Sequence, residues 1–359
     1  MNIIPATPAP EFKGIVRWSD ELNHNLKEYK GKVVLLDFWT YTCIFCLRTI
    51  PTIETLKEKY GNHGLEVISL HSAEYEFARE EDNIKRALKT YNLENYLTGF
   101  DTSNKTWEAY GNSYWPKHVL IDKEGFVRYE HPGYGTPDEF YDALNDLFDI
   151  TKSHSPLDTT NSNQNNSSNT EGQINGQPLL EPESDSNAFE QNRITKQYGT
   201  HFPGMAPEIC VGYSRMRRFG NNQKVKIDEF NVFSDSPTVM DNVVYLKGKW
   251  IWGREGVGVT LEHKDKSPAI IFKYNSASNV NIIAGSTDGK PTIAEILLDG
   301  NYLQTEQLGV DSKKEGDISL VNITWPHILN IVKTPKPSSH RLEIRPKSDN
   351  FYFYTFVFG

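Results

Sequence analysis

The most coherent apolar pattern in the chain begins at residue 33. Positions 33–38 are apolar in succession apart from Asp37, which reads as a strand buried on both faces. Directly after it come Cys43-Ile44-Phe45-Cys46, then Leu47, Ile50, Ile53 and Leu56 at the spacing of one helix face. The pattern predicts a strand, a tight turn and a helix that opens on Cys43, with Thr42 in the N-cap position. Before it, a Pro/Ala-rich arm leads into a short helix and turn over 19–30. After it, Gly61 and Gly64 break the chain, 65–70 reads as a strand, and Ile84, Leu88 and Tyr91 mark a helix whose charged first turn is 79–83. Tyr114-Trp115-Pro116 precedes a strand at 118–121, a turn at 122–125 and a returning strand at 126–129. Phe140, Leu144, Leu147 and Phe148 face inward from a closing helix over 137–148. Strands alternating with helices predict an α/β unit with a parallel sheet covered by helices.

The pattern changes near residue 151. From there to 195 the chain is Asn, Ser, Thr, Gln and Gly with few large apolar residues, too little to offset the entropy of ordering. This predicts a flexible tether; a coil of roughly 45 residues spans on the order of 35–40 Å and lets its flanks move independently. Farther on, β-rich runs at 243–246, 258–261, 269–274, 280–284, 292–298 and 319–324 are separated by Gly, Asn, Asp and Pro turns. Such runs predict an all-β antiparallel sandwich of jelly-roll type. The expected layout is an α/β unit at 1–150, a linker at 151–195 and a β-sandwich at 196–359, with the chemistry confined to the first.

At 359 residues and 41.0 kDa the chain has room for about two domains. Its net charge of -9 and pI near 5.6 argue against a nucleic-acid or anionic-membrane binder. Three cysteines make no disulfide framework. Residues 1–10 lack a basic region and an apolar core, and no stretch approaches the ~20 apolar residues of a membrane span, so the expected location is cytoplasmic with no membrane span.

The candidate chemistry lies in the cysteine pair. A thiolate at a helix N-terminus faces unpaired backbone N–H groups and the positive end of the helix dipole, and a second cysteine one turn on can close a disulfide with it. Zinc ribbons share the C-x-x-C spacing, but zinc needs four ligands; Cys210 is the only other cysteine and no paired His motif exists, so no metal is expected.

Asp37-Phe38-Trp39, the Cys pair, and Pro51 five residues after Cys46 resemble the thioredoxin pattern. More narrowly, Phe38-Trp39-Thr40-Tyr41-Thr42-Cys43 with Arg48-Thr49-Ile50-Pro51 resembles the soluble thioredoxin-like part of DipZ-type proteins, near the TlpA-like redoxins. Phe45 departs from that branch, which commonly has Asn there, and residues between the cysteines tune the disulfide's stability. Pro116 resembles, in order and in the hairpin after it, the family's cis proline, beside which an extended substrate segment can pair. Pro207-Glu208-Ile209-Cys210-Val211-Gly212-Tyr213 and Tyr354-Thr355-Phe356-Val357-Phe358-Gly359 resemble the two ends of the carbohydrate-binding-module-like domain that accompanies the DipZ-type unit.

The resemblance implies a thiol-disulfide oxidoreductase: Cys43 attacks, Cys46 resolves, Asp37 accepts the Cys46 proton, and Trp39, Trp115 and Pro116 meet the substrate. It implies protein disulfide substrates, an upstream thiol or electron donor, a possible glycan at the second unit and no dissociable cofactor. Trp250 and Trp252 share a strand face, either to stack on sugar or, more commonly, to fill the core. Cys210 reads as a small buried residue, and His71, His118 and His131 as structural. Arg48 either raises the local positive potential or is solvated. Two alternatives remain at this level: a thiol peroxidase using Thr40, although Leu36 stands where that pattern needs proline, and a glycan-binding scaffold with a redox fold attached.

Overall fold

A computed structural model describes residues 6–149, 193–216, 218–236, 238–261 and 268–359. The expected linker at 151–195 lies outside the described residues up to 192, and its last three residues belong to a helix.

The first unit is a six-stranded sheet flanked by helices. In chain order its elements are β1 (Thr7–Pro8), β2 (Val33–Trp39), α1 (Ile44–Tyr60), β3 (Leu65–Ser72), α2 (Glu81–Thr90), β4 (Leu97–Asp101), α3 (Lys105–Ala109), β5 (Lys117–Ile121), β6 (Phe126–Pro132) and α4 (Asp138–Leu147). The strand order is β1-β6-β5-β2-β3-β4. Only β2, β3 and β4 are parallel; β5, β6 and β1 run antiparallel, so the sheet is mixed where the pattern predicted a parallel one. The β5–β6 pairing is set locally: Asp122 Oδ1 accepts the N–H groups of Glu124 and Phe126 and closes a hairpin turn, which returns the chain without a crossover. Because β2 is central, alternate side chains bury on opposite faces. Val33 and Leu35 pack under α1 with Ile53 and Leu56, while Val34, Leu36 and Phe38 pack with Ile68, Leu70 and Trp107.

The second unit is all-β and antiparallel. After α5 (Arg193–Tyr198) come β7 (Ile209–Cys210), β8 (Phe230–Phe233), β9 (Val244–Trp252), β10 (Val257–Val259), β11 (Ala269–Ser286), β12 (Thr292–Leu298), β13 (Asn301–Tyr302), β14 (Ser312–Glu315), β15 (Ile318–Ile323), β16 (His327–Pro346) and β17 (Phe351–Phe358). These eleven strands form one hydrogen-bonded sheet. The first part of β11 pairs with β9 and its last part with β17, and β10 joins β17 to β9, so the sheet folds over itself around Trp250, Phe272, Ile282, Ile331 and Phe353.

The two units are not independent, contrary to the expectation from the linker. Ile283, Ile328 and Val357 of the β unit, with Ile194 and Tyr198 of α5, are buried in one cluster with Tyr41, Ile44, Leu47 and Tyr91. Linker composition limits only the linker; it carries no information about apolar faces that meet across it. At the centre of the junction Arg48 of α1 is 3% exposed. Its Nε donates to Gly199 O at 3.0 Å and its Nη2 to Phe358 O at 3.1 Å. Burial lowers its pKa to about 10, still charged at neutral pH. Gly199 has φ +80, and a Cβ there would stand 2.6 Å from the carbonyl carbon of Gly359, so the approach requires glycine.

Arg48→Met keeps the aliphatic stem and removes both hydrogen bonds from the charged donor. It should cost about 3 kcal/mol in urea-induced unfolding of the full chain; a cost below about 0.5 kcal/mol, the level of an ordinary surface change, would show that the junction does not depend on this contact. A chain ending near residue 150 uncovers Tyr41, Ile44 and Leu47. It should melt at a lower temperature and bind a hydrophobic dye, whereas unchanged melting without dye binding would restore the independent-unit reading.

Candidate active site

The site forms where β2 runs out. After Trp39 the chain turns, with Cys43 N–H donating to Thr40 O at 3.1 Å, and α1 starts at Ile44. The N-cap is Cys43 itself, in extended conformation at φ -97, ψ 114, and its Sγ accepts the N–H of Cys46 at 3.4 Å. Thr42, expected in that place, donates its hydroxyl to Glu74 Oε2 at 2.8 Å instead. Cys43 is therefore half-buried with its sulfur at the helix end, and Cys46 lies one turn inside, 3% exposed. Burial first, and then the neighbouring Cys43, push the Cys46 thiol well above the ordinary range.

Trp115 is fixed beside this end. Its ring stacks on Trp107 with centroids 4.2 Å apart, and its Nε1 donates to Ser72 O at 3.0 Å. Its carbonyl oxygen lies 3.7 Å from Cys43 Sγ, and the Trp115–Pro116 peptide is cis.

Two cavities meet the two sulfurs. On the outer side Cys43 opens into a cavity of about 300 Å³ lined by Thr42, Phe45, Glu74, Tyr114 and Trp115 from the first unit and by Glu208, Arg215 and Val357 from the second. On the inner side Cys46 borders a space of about 10 Å³ shared with Asp37, Trp39, Ser69 and Tyr96. Asp37 pairs in register with His118 of β5, whose Nε2 is 3.3 Å from Asp37 Oδ1 but not aligned for a hydrogen bond.

The structure places Cys43 beside Trp115 on the outer side and Asp37 with Cys46 on the inner side. Pro116 is buried beneath them and lines neither cavity. Trp39 requires correction: it is 2% exposed and turned to the Cys46 side, so it walls the inner space and cannot touch a substrate at Cys43. For Trp250 and Trp252 the structure supports the core reading over the glycan one. Trp250 is fully buried with its indole N–H on Lys247 O, and Trp252 packs on Phe219 at 4.7 Å and donates to Val211 O. Arg48 is buried, not solvated. Cys210 is half-buried, its thiol 3.6 Å from Glu208 Oε1 and pushed up to about 11 by burial.

Glu74, Glu208 and Arg215 escaped the sequence reading. Arg215 pairs with Glu74 at 2.5 Å and lies over the Tyr75 ring at 4.4 Å, tying the β unit to the cavity wall. The available signal was the 207–213 segment: β7 within it pairs with β17, and so both segments that carried the C-terminal resemblance lie at the junction. Phe45, at the position that departs from the branch, packs edge-on against His201 at 5.4 Å with the Arg48 guanidinium 5.6 Å from its ring centre. Among the described residues no cluster of His, Cys, Asp and Glu forms a metal site, and no helix is long and apolar enough to cross a membrane.

Comparison with known proteins divides the chain at the same place. Residues 5–147 match the Redoxin family and residues 206–359 match the family described as thioredoxin like C-terminal domain. Protein DipZ of Mycobacterium bovis is 29% identical over 329 residues, which are 85% of this chain and 41% of that protein. The chain therefore spans less than half the length of this relative. Thiol-disulfide oxidoreductase ResA of Bacillus thuringiensis is 33% identical over 119 residues, 33% of this chain and 65% of ResA. Among solved structures, the exposed lipoprotein thioredoxin of Streptococcus pneumoniae is 29% identical, covering 38% of this chain and 100% of its own, with a TM-score of 0.35.

A stack of rings crosses the junction behind the site. His327 lies flat on Trp325 at 4.2 Å, Trp325 meets Tyr41 at 5.6 Å, and Tyr41 stacks on His71 at 5.3 Å. Burial lowers His71 to about 3 and His327 to about 4, so the folded state holds both neutral. Their contribution is complete above the ordinary histidine value of 6.5 and is lost as pH falls through it toward 4 and 3, because only the unfolded chain takes up the protons. Unfolding free energy should therefore drop between pH 7 and pH 4, by up to about 1.4 kcal/mol per pH unit for each histidine. His327→Gln should shrink that slope; an identical slope in wild type and variant would show that the stack is not what titrates.

Proposed function

This chain is a thioredoxin-like protein of the DipZ/TlpA type, and from that premise we propose that it reduces or exchanges protein disulfides through Cys43 and Cys46. The observation that carries the proposal is the ordering of the two sulfurs: Cys43 caps the helix and opens into the outer cavity, while Cys46 is buried behind it. Cys43 Sγ accepts the Cys46 N–H at the helix start and is the sulfur a substrate can reach, whereas Cys46 is closed off, so Cys43 is the nucleophile. Its thiolate attacks one sulfur of the substrate disulfide, the other leaves as a thiolate, and a mixed disulfide on Cys43 remains. The Trp115 carbonyl beside Cys43 aligns the substrate segment.

Cys46 then attacks Cys43 and releases the substrate as a second thiol. Burial holds its proton firmly, so the step needs a base. Asp37 borders the same inner space, which is about the size that holds one water molecule to carry the proton between them. An upstream dithiol donor reduces the resulting Cys43–Cys46 disulfide and resets the site. The sulfurs carry the electron pair throughout, with no dissociable cofactor. The peroxidase alternative loses its hydroxyl: Thr40 is fully buried and its Oγ1 lies against Thr42 Oγ1 at 3.1 Å and His71 Nε2 at 3.4 Å, away from the cavity.

Cys46→Ser should accumulate mixed disulfides with partner proteins through Cys43, and Cys43→Ser should trap few and turn over none. Non-reducing gels with mass spectrometry of the adducts test this, and equal trapping by both variants would sink the assignment. Asp37→Asn should leave formation of the mixed disulfide intact and slow its resolution on the order of 10²-fold. Resolution at the wild-type rate would remove Asp37 from the mechanism.

A further inference from the structure

The outer cavity contains a carboxyl group that the exchange mechanism above does not use. Glu208 comes from the β unit and stands in the wall of the space into which Cys43 opens. It is densely surrounded by protein yet open to solvent through the cavity. On its own unit it meets Cys210, whose thiol donates to Oε1 at 3.6 Å, and Thr355, whose hydroxyl donates to Oε1 at 3.4 Å, with Arg215 nearby. Facing it from the first unit are Glu74, which is paired to Arg215, and Tyr75. One cation therefore stands among two carboxyl groups. The cation's direct partner is Glu74, and Glu208 remains the group free to change its charge.

We propose that Glu208 is a general acid for the exchange at Cys43, donating a proton to the thiolate that leaves the substrate. This rests on Cys43 being the nucleophile. When the Cys43 thiolate attacks R–S–S–R′, the Cys43–S–R bond forms, the S–S bond breaks and R′–S⁻ departs into the cavity. The Glu208 carboxyl gives it a proton, leaving R′–SH and a carboxylate that takes a proton back from solvent. The electron pair for net reduction comes from the donor dithiol. Surrounding protein, and after it the Glu74 carboxylate, raise Glu208 to about 7, while Arg215, Cys210 and Thr355 oppose the rise. A carboxyl raised in this way keeps its proton to higher pH than an ordinary glutamate, which is what a general acid requires. The second unit would thus contribute chemistry to the site as well as its wall.

The leaving group supplies the test, because only a basic thiolate needs a proton. The full chain, with excess dithiothreitol as donor, would be assayed against two small neutral disulfides. Bis(2-hydroxyethyl) disulfide releases a basic alkyl thiolate, and 2,2′-dipyridyl disulfide releases a thiol that leaves as a stable thione. Glu208→Gln should lower kcat/KM for the alkyl disulfide on the order of 10²-fold and leave the pyridyl disulfide unchanged. The same loss with both, or no loss with either, overturns the proposal. Should Glu208→Gln fail to fold, Glu74→Gln keeps the acid. In wild type the ratio of alkyl to pyridyl rates should fall as pH rises through about 7. Removing the Glu74 charge should move that fall to lower pH, and an unmoved or absent fall overturns the proposal. A wild-type chain that reduces neither disulfide would overturn the oxidoreductase reading, and this proposal with it.

Discussion

A buried guanidinium on the cysteine-bearing helix sets the geometry of the whole molecule. Burying Arg48 is costly unless its N–H groups find acceptors; Nε and Nη2 find Gly199 O and Phe358 O, 151 and 310 residues away in sequence, while Nη1 is buried without one among the described residues. Helix α1 and the final strand β17 are thereby locked in register with each other. The apolar cluster around Tyr41, Ile283 and Val357 then excludes water from the contact, which strengthens the same hydrogen bonds.

From that lock follows the shape of the site. The second unit supplies one wall of the space in front of Cys43. Here β17 and the residues flanking β7 wall the sulfur into a cavity with Glu208, Arg215 and Val357 on the far side. The helix end divides this outer space from the small inner one, where Asp37 faces Cys46. Nucleophile and resolving thiol thus meet different environments though only three positions apart, one polar and open, the other buried enough to hold its proton.

Legibility in the sequence followed the range of the interactions. The strand, the cysteine turn and the helix over 33–60 are local, and so is the hairpin after Pro116; each is written in adjacent residues and each was readable. Strand β11 was seen as two runs because register shifts near Ser276, at φ +52, interrupt its alternation. Strand β16 went unseen because Pro335 and Pro337 argue against a strand, and they sit in a stretch where pairing with β11 lapses. The junction was illegible for a different reason. An arginine on a helix reads as solvated unless its partners are known, and backbone carbonyls leave no trace in a sequence. The resemblance of the 207–213 and 354–359 segments to a known domain marked them as characteristic without saying that they pair with each other and face the cysteines.

If α1 and β17 are parts of one cooperative structure, their amides should open together. Native-state hydrogen exchange of the full chain, followed by mass spectrometry across mild denaturant, measures this directly. Amides of 46–56 in α1 and of β17 should converge on one opening free energy with one denaturant dependence. Opening of α1 at a free energy and slope unrelated to those of β17 would contradict the account, and would make the site a property of the first unit alone.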